Sequence, residues 1–257
     1  MPSPTRHGRQ QTLNALRMTM SQAEVHLYTA GTMNGYKPVI FLEEAGIPYD
    51  LTHIDFSKQE QKTPEFLALN PNGKIPTIED RTEGRAIFES GAILWHLAEK
   101  YGKFLPSDPV KRSEVMQWML FQVGHVGPMM GQAMYFQHIA APNGHEEPFS
   151  IRRYVDESRR LMEVMNDRLN GRDWIAAGEY TIADMMLYPW ARAYVWARVK
   201  VDDLAHLNAW FDRIDARPAV QKALTIPKAN PQFWDADADA SAFARENAAR
   251  FSGDVKS

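Results

Sequence analysis

The sequence predicts an α/β domain followed by an all-α domain, and three observations lead there. Short strands and helices alternate through the first hundred residues. A break rich in Gly and Pro follows at residues 101–109, and beyond it apolar residues recur at three- and four-residue spacing. The expected units are residues 24–101 and 110–224, with 1–23 and 225–257 as terminal extensions.

Val25, Leu27 and Thr29 alternate with His26 and Tyr28, a period-two strand ending at the Ala30-Gly31-Thr32 turn. Pro38 to Gly46 then reads as a helix, since proline is tolerated in a first turn and Gly46 closes the last one. Tyr49 to Asp55 reads as a second strand, and Pro64 to Leu69 as one or two helical turns before Asn70-Pro71-Asn72-Gly73. Ile75 to Glu79 and Ala86 to Phe88 form a predicted hairpin. Ser90 to Lys100 follows as a helix, with Ser90 its expected N-cap. This order describes a small domain with a mixed sheet. Past the break, Ile151, Tyr154, Val155, Leu161, Met162, Met165 and Leu169 recur at helical spacing, and so do Leu204, Leu207, Trp210, Phe211 and Ile214. Nothing from Thr225 onward requires packing. A frayed helix and a lid over the body both fit the prolines and the Asp-Ala tract at 235–240.

The 257 residues are 44% hydrophobic and 24% charged, enough apolar material for a sizeable core. Lys and Arg total 29 against 32 acidic residues, which argues against a broad nucleic-acid surface. No stretch approaches the length of an apolar membrane span, and the first twenty residues lack the apolar run of an export signal. The expected setting is cytoplasmic, without nucleic-acid or membrane partners. Cysteine is absent, which excludes disulfides, thiolate metal sites and a cysteine nucleophile. Any thiol chemistry must arrive with a ligand.

Four stretches offer chemistry. Gly31 to Pro38 is a strand-to-helix junction, where Thr32 and Asn34 lie beside the unpaired N–H groups of a starting helix. Such a place suits an anion, a ligand thiolate included; the plainer reading is capping by Thr32 or Asn34, with Lys37 solvated on the surface. Asn72 to Thr77 places Pro76 at a strand opening, where a peptide-like ligand can pair with the Ile75 backbone. For an isolated X-Pro bond the trans form is favoured. Phe88-Glu89-Ser90-Gly91 sets an acid and a hydroxyl before a helix: either an exposed Glu89 and a capping Ser90, or a site for an amino acid's ammonium and carboxylate. Together, the three supply places for a sulfur, a backbone and an amino-acid end. The fourth stretch, Thr181-Ile182-Ala183-Asp184, is a capping box and reads as structural.

Other candidates weaken. The eight histidines show no metal-ligand spacing, so no metal is expected. Gly124, Gly127 and Gly131 lie in a helical region, and Ser90 lacks a nucleophile-elbow context. Met116, Met119, Met129, Met130 and Met134, with neighbouring aromatics, fit either core or an adaptable apolar pocket. The pairs Arg152-Arg153 and Arg159-Arg160 read as solvated faces, or as a reach toward a ligand acid or partner subunit.

Asn72-Gly73-Lys74-Ile75-Pro76, Phe88 to Ile93 and Tyr180 to Asp184 are the motifs by which the chain resembles the cytosolic glutathione transferase superfamily. Thr32-Met33-Asn34-Gly35, Phe121 to Gly124 and Gly127 to Gln132 make it most similar to the bacterial Nu class, relatives of the yeast nitrogen-regulating prion protein. The likeness spans residues 25–224 and implies a thioredoxin-like first domain, a helical second domain and a homodimer. It also implies one or two glutathiones, or glutathione disulfide, at each site. By this resemblance Thr32 and Asn34 contact the glutathione sulfur. Ile75 pairs with the cysteinyl backbone before a cis Pro76, and Glu89 and Ser90 hold the γ-glutamyl end. Gln61 and Lys74 reach the other end, and Arg153 crosses the dimer interface. The implied activity is reduction of small or mixed disulfides by bound glutathione. The alternatives are attack on an electrophilic carbon, by conjugation or aryl-ether cleavage, and a non-catalytic glutathione-binding regulator.

Overall fold

The computed structural model describes residues 22–235. Strand β1 (Val25–Thr29) pairs in parallel with β2 (Tyr49–His53) and antiparallel with β3 (Thr77–Asp80), which pairs antiparallel with β4 (Arg85–Phe88). The sheet order is therefore β2-β1-β3-β4. Leu27 stands opposite both Leu51 and Ile78, so the alternation seen in β1 sets the register of the sheet's apolar centre. Helix α1 (Met33–Ala45) makes the crossover between the two parallel strands and packs on α3 (Ser90–Tyr101), while α2 (Pro64–Leu69) places Phe66 in a separate small cluster with Tyr28, Ile54 and Ile75. The result is the expected thioredoxin-like arrangement.

The element ends depart from the sequence reading in instructive ways. Helix α1 starts at Met33, not Pro38, because Thr32 caps it: the Gly35 N–H donates to Thr32 Oγ1 at 3.1 Å. Pro38 falls inside the helix, where it withholds the N–H that the Asn34 carbonyl would otherwise accept. β2 ends at His53, and β3 begins at Thr77, after Pro76, which has no N–H to give a ladder. Ser90 is not a cap. It is the first residue of α3, and Glu89 takes the cap position with φ 70° and no side-chain capping bond.

Past Gly102 the chain is helical: α4 (Pro109–Phe121), α5 (Gly127–Tyr135), α6 (Pro148–Leu169), α7 (Ile182–Arg192), the short α8 (Tyr194–Ala197), α9 (Ala205–Asp215) and α10 (Pro218–Ala223). Wider π turns at Gln122–Val126 and Phe136–Ala140 flank α5. Helix α1 packs on α7 and α10, so the junction after β1 lies where sheet and helices meet. The capping box is present as predicted: Thr181 and Asp184 exchange bonds, and buried Asp184 also accepts from Ile175 N and Trp210 Nε1 at 3.0 and 2.9 Å. Among the methionines, Met119 and Met130 are core, whereas Met134 also lines a cavity.

Residues 225–235 pack on the body, in keeping with the lid alternative and not with a frayed helix. Tyr36 Oη donates to the Lys228 carbonyl at 2.8 Å, Asn230 Nδ2 donates to the Gly31 carbonyl, and Phe233 is buried. The rest of the Asp-Ala tract, 236–240, lies outside the described residues, as does most of the N-terminal extension. Among the described residues no helix is long and apolar enough to cross a membrane.

Candidate functional site

Two cavities meet at Thr32. The first, about 300 Å³, runs from Gly31 and Thr32 past His53, Asp55 and Ser57 to Lys228 and Asn230. The second, about 190 Å³, is walled by Met33, Met134, Tyr135, His138, Trp190, Trp196 and Phe233, with Thr32 and Asn34 at its edge. The polar and apolar characters of the two follow from their walls. In each, residues 225–235 supply one side.

The local sequence explains the junction. Gly35 lets the helix start press on the strand end, since a Cβ there would lie 1.9 Å from the Ala30 carbonyl oxygen. Thr29 Oγ1 donates to the Gly35 carbonyl at 3.0 Å. Thr32, buried, uses one lone pair on Gly35 N–H and keeps its own O–H to donate. The N–H groups of Met33 and Asn34 have no acceptor among the described residues. These donors face the start of α1, where the helix dipole favours an anion.

Asn34 is half-buried, and its Oδ1 accepts from Lys37 Nζ at 2.9 Å and from Trp190 Nε1 at 2.8 Å. Both groups are donors only, so this atom is the oxygen, and the Asn34 NH₂ is left for a ligand. Lys37 overturns its expected place on the surface. It is 1% exposed, and its Nζ also donates to Ser90 Oγ at 3.2 Å and Gln122 Oε1 at 2.8 Å. Burial pushes its pKa well below the usual lysine range, with the Glu89 carboxylate pulling upward.

The other predicted positions fall as follows. The Ile75–Pro76 bond is cis, and Ile75 makes no backbone hydrogen bond among the described residues, leaving its peptide edge free. Asn70 Nδ2 braces that turn by donating to the Lys74 carbonyl at 2.6 Å and to Thr77 Oγ1 at 3.0 Å. Lys74 is exposed, and Gln61 is buried with its Oε1 lacking any partner. A buried orphan acceptor costs on the order of 1–3 kcal/mol unless a ligand or water meets it. Glu89 is exposed beside buried Ser90. Arg153 is exposed on α6 and lines neither cavity of its own chain.

His138 lies in the apolar cavity wall, its ring stacked on Trp196 at 3.8 Å between centroids. Its Nε2 meets the Trp196 carbonyl at 2.6 Å and must carry the hydrogen there. Burial lowers its pKa, favouring the neutral ring. Among the described residues, Asp80, Glu83 and His96 each offer one ligand atom, all within 4.8 Å of one another. Lys100 Nζ, however, bonds both Asp80 oxygens at 2.8 and 2.7 Å. Burial would raise Asp80, but the bonds from Lys100, Thr82 and His96 hold it far below the carboxylate range. The Asp80 carboxylate already has its counter-charge in this ammonium.

The sequence reading missed Lys37, Gln122, Trp190, His138 and the strap residues Asn230 and Phe233. For Lys37 the signal was present: Thr32 as cap puts it three residues after Asn34 and four before Phe41, on the buried stripe.

Comparison with known proteins agrees with this geometry. Residues 23–99 match the glutathione S-transferase N-terminal domain family and residues 149–218 its C-terminal domain. The chain is 42% identical over 205 residues to the disulfide-bond oxidoreductase YfcG of Escherichia coli, covering 78% of this chain and 94% of that one. A crystal structure of a Pseudomonas putida glutathione transferase, with one glutathione disulfide bound per subunit, superposes with TM-score 0.75 at 38% identity. It covers 84% of this chain and 98% of its own. The nitrogen regulation fragment of the yeast prion protein Ure2p does so with TM-score 0.73 at 31% identity, over 79% and 96% of the two chains. The chain belongs to the glutathione S-transferase family, within the cytosolic superfamily that includes Ure2-like relatives.

Proposed function

We infer that the protein is a glutathione-dependent thiol-disulfide oxidoreductase that reduces small or mixed disulfides with bound glutathione thiolate. The observation that carries this reading is a donor-lined helix start at Thr32 and Asn34 in a chain without cysteine. The Thr32 hydroxyl, the Asn34 NH₂ and the free N–H groups at the start of α1 stabilise the thiolate. A free thiol is only a few per cent ionised near neutral pH, so lowering its pKa by about two units raises the reactive fraction more than tenfold. Thr32 donates and takes no proton. The Ile75 peptide edge pairs with the cysteinyl backbone, and Glu89 and Ser90 hold the γ-glutamyl end. Gln61 and Lys74 face the glycyl end, Gln61 through its orphan oxygen.

The reaction runs in two displacements. The bound thiolate attacks one sulfur of the substrate disulfide; the S–S bond breaks, and one half leaves as a thiolate that takes up a proton. The second glutathione thiolate then attacks the glutathione sulfur of the mixed disulfide, forming glutathione disulfide and releasing the other half. Two thiols are oxidised and one disulfide is reduced. That the Pseudomonas putida relative holds one glutathione disulfide per subunit supports room for two glutathione units.

A second reading rests on the apolar cavity. Its aromatic walls suit an aryl electrophile, which the same thiolate would attack at carbon. Comparing kcat/KM for aliphatic disulfides with that for aryl halides, epoxides and aryl ethers tests the two. A preference for disulfides supports the first reading, and turnover of carbon electrophiles alone overturns it. The working protein is taken as a cytoplasmic homodimer of units 24–101 and 110–224, with Arg153 reaching the partner's site.

A further inference from the structure

We propose that Lys37 is the positioning residue of the sulfur site and the buried counter-charge of the thiolate held there. The inference rests on the glutathione reading above and adds a residue to it. Its basis is the set of three acceptors around Lys37 Nζ: Asn34 Oδ1, Ser90 Oγ and Gln122 Oε1, at 2.9, 3.2 and 2.8 Å. An ammonium has three N–H donors and no acceptor, and each donor is used. None of the three oxygens is a carboxylate, so no contact neutralises a charge at Nζ, and burial disfavours the ammonium until an anion binds nearby. A strut between elements would not need a charge, because an apolar side chain of the same length fills the space without the desolvation cost. A buried cation kept in this way gains most when an anion binds beside it.

The geometry says which anion. Lys37 and Trp190 together occupy both lone pairs of Asn34 Oδ1, which turns the Asn34 NH₂ toward a ligand at the cavity edge. The same ammonium holds Ser90, on α3, at a set distance from Asn34, on α1. One charge thereby ties the residue assigned to the sulfur to the residue assigned to the γ-glutamyl end. Gln122, on the turn after α4, anchors it to the helical part. The charged group whose field reaches Lys37 is Glu89, before α3; the α4 turn and α7 present Gln122 and Trp190, neither of which titrates.

The test is the pKa of enzyme-bound glutathione, read from thiolate ultraviolet absorbance against pH at saturating ligand. Lys37→Met keeps the length and removes the charge. The expected result is a bound thiol pKa raised by about one unit or more, roughly a threefold or larger loss of thiolate at neutral pH. The conservative Lys37→Arg is expected to recover part of it. A Lys37→Met protein that melts earlier but binds glutathione with the wild-type thiol pKa overturns the proposal and leaves Lys37 a strut. If Lys37→Met does not fold, nitrogen NMR of the wild-type lysines with glutathione bound decides the matter. A protected Lys37 ammonium signal supports the proposal, and a neutral amine overturns it. Wild-type protein that binds no glutathione in calorimetry sinks the glutathione reading itself, a result distinct from either.

Discussion

Tyr36 Oη donates to the Lys228 carbonyl at 2.8 Å, joining the first turns of α1 to a strap nearly two hundred residues later in the chain. The strap can approach because residue 31 is glycine. A Cβ there would lie 2.3 Å from Asn230 Nδ2 and 2.6 Å from the Lys228 carbonyl oxygen. Gly31→Ala is therefore expected to lift residues 225–235 off the body. Limited proteolysis should cut this segment at least several-fold faster, and the apolar cavity should lose its Phe233 wall, raising KM for bulky acceptors more than for glutathione. Unchanged proteolysis and KM values would show that the strap does not shape the site.

Thr32 has two tasks that substitution separates. Thr32→Ala removes the cap on Gly35 N–H and the donor to sulfur; Thr32→Ser keeps both. Denaturant unfolding should show a loss of about 1 kcal/mol for the alanine variant and little for serine. Glutathione-dependent turnover should fall about tenfold or more with alanine. Equal activity of the two variants would remove Thr32 from the chemistry.

Asp184 is fully buried, and burial raises its pKa to about 6 against bonds from Ile175 N, Trp210 Nε1 and Thr181. Its folded pKa exceeds the unfolded value, so the stabilisation linked to its proton is complete below the unfolded pKa. It is lost as pH rises through about 6. Asp184→Asn cannot accept every one of these bonds, and one amide N–H must face another donor. The expected loss is about 2–4 kcal/mol at neutral pH, read from urea unfolding, together with a flatter stability profile on the acid side of neutrality.

His138 carries the opposite sign. Burial lowers its pKa below the usual histidine range, so the folded state resists a proton that the unfolded chain accepts. This stabilising contribution is present above the unfolded pKa and is lost as pH falls toward the folded one. A His138→Gln variant should therefore show a smaller drop in Tm on acidification below the unfolded pKa. If wild type and variant fall together, the His138 ring does not govern that window.

Much of the molecule was legible in its sequence because local patterns and tertiary packing agree there. The alternation in β1 and the Thr181–Asp184 box each appear where their residues put them. The start of α1 was misplaced because Pro38 reads as a first-turn residue, although the hydroxyl of Thr32 already caps an earlier turn. That slip of five residues hid Lys37. Its partners Gln122 and Ser90, and Trp190 on Asn34, come from three separate elements, and no local pattern brings them together. The strap was unreadable for the same reason: its docking depends on Gly31 and Tyr36, far away in the chain.

The most direct test of the central claim is the glutathione-dependent reduction of 2-hydroxyethyl disulfide, with glutathione disulfide as the measured product. The account predicts a wild-type rate well above that of glutathione alone, consumption of two glutathiones per disulfide reduced, and no covalent protein adduct, since the chain has no cysteine. A wild-type rate equal to the uncatalysed one would contradict it.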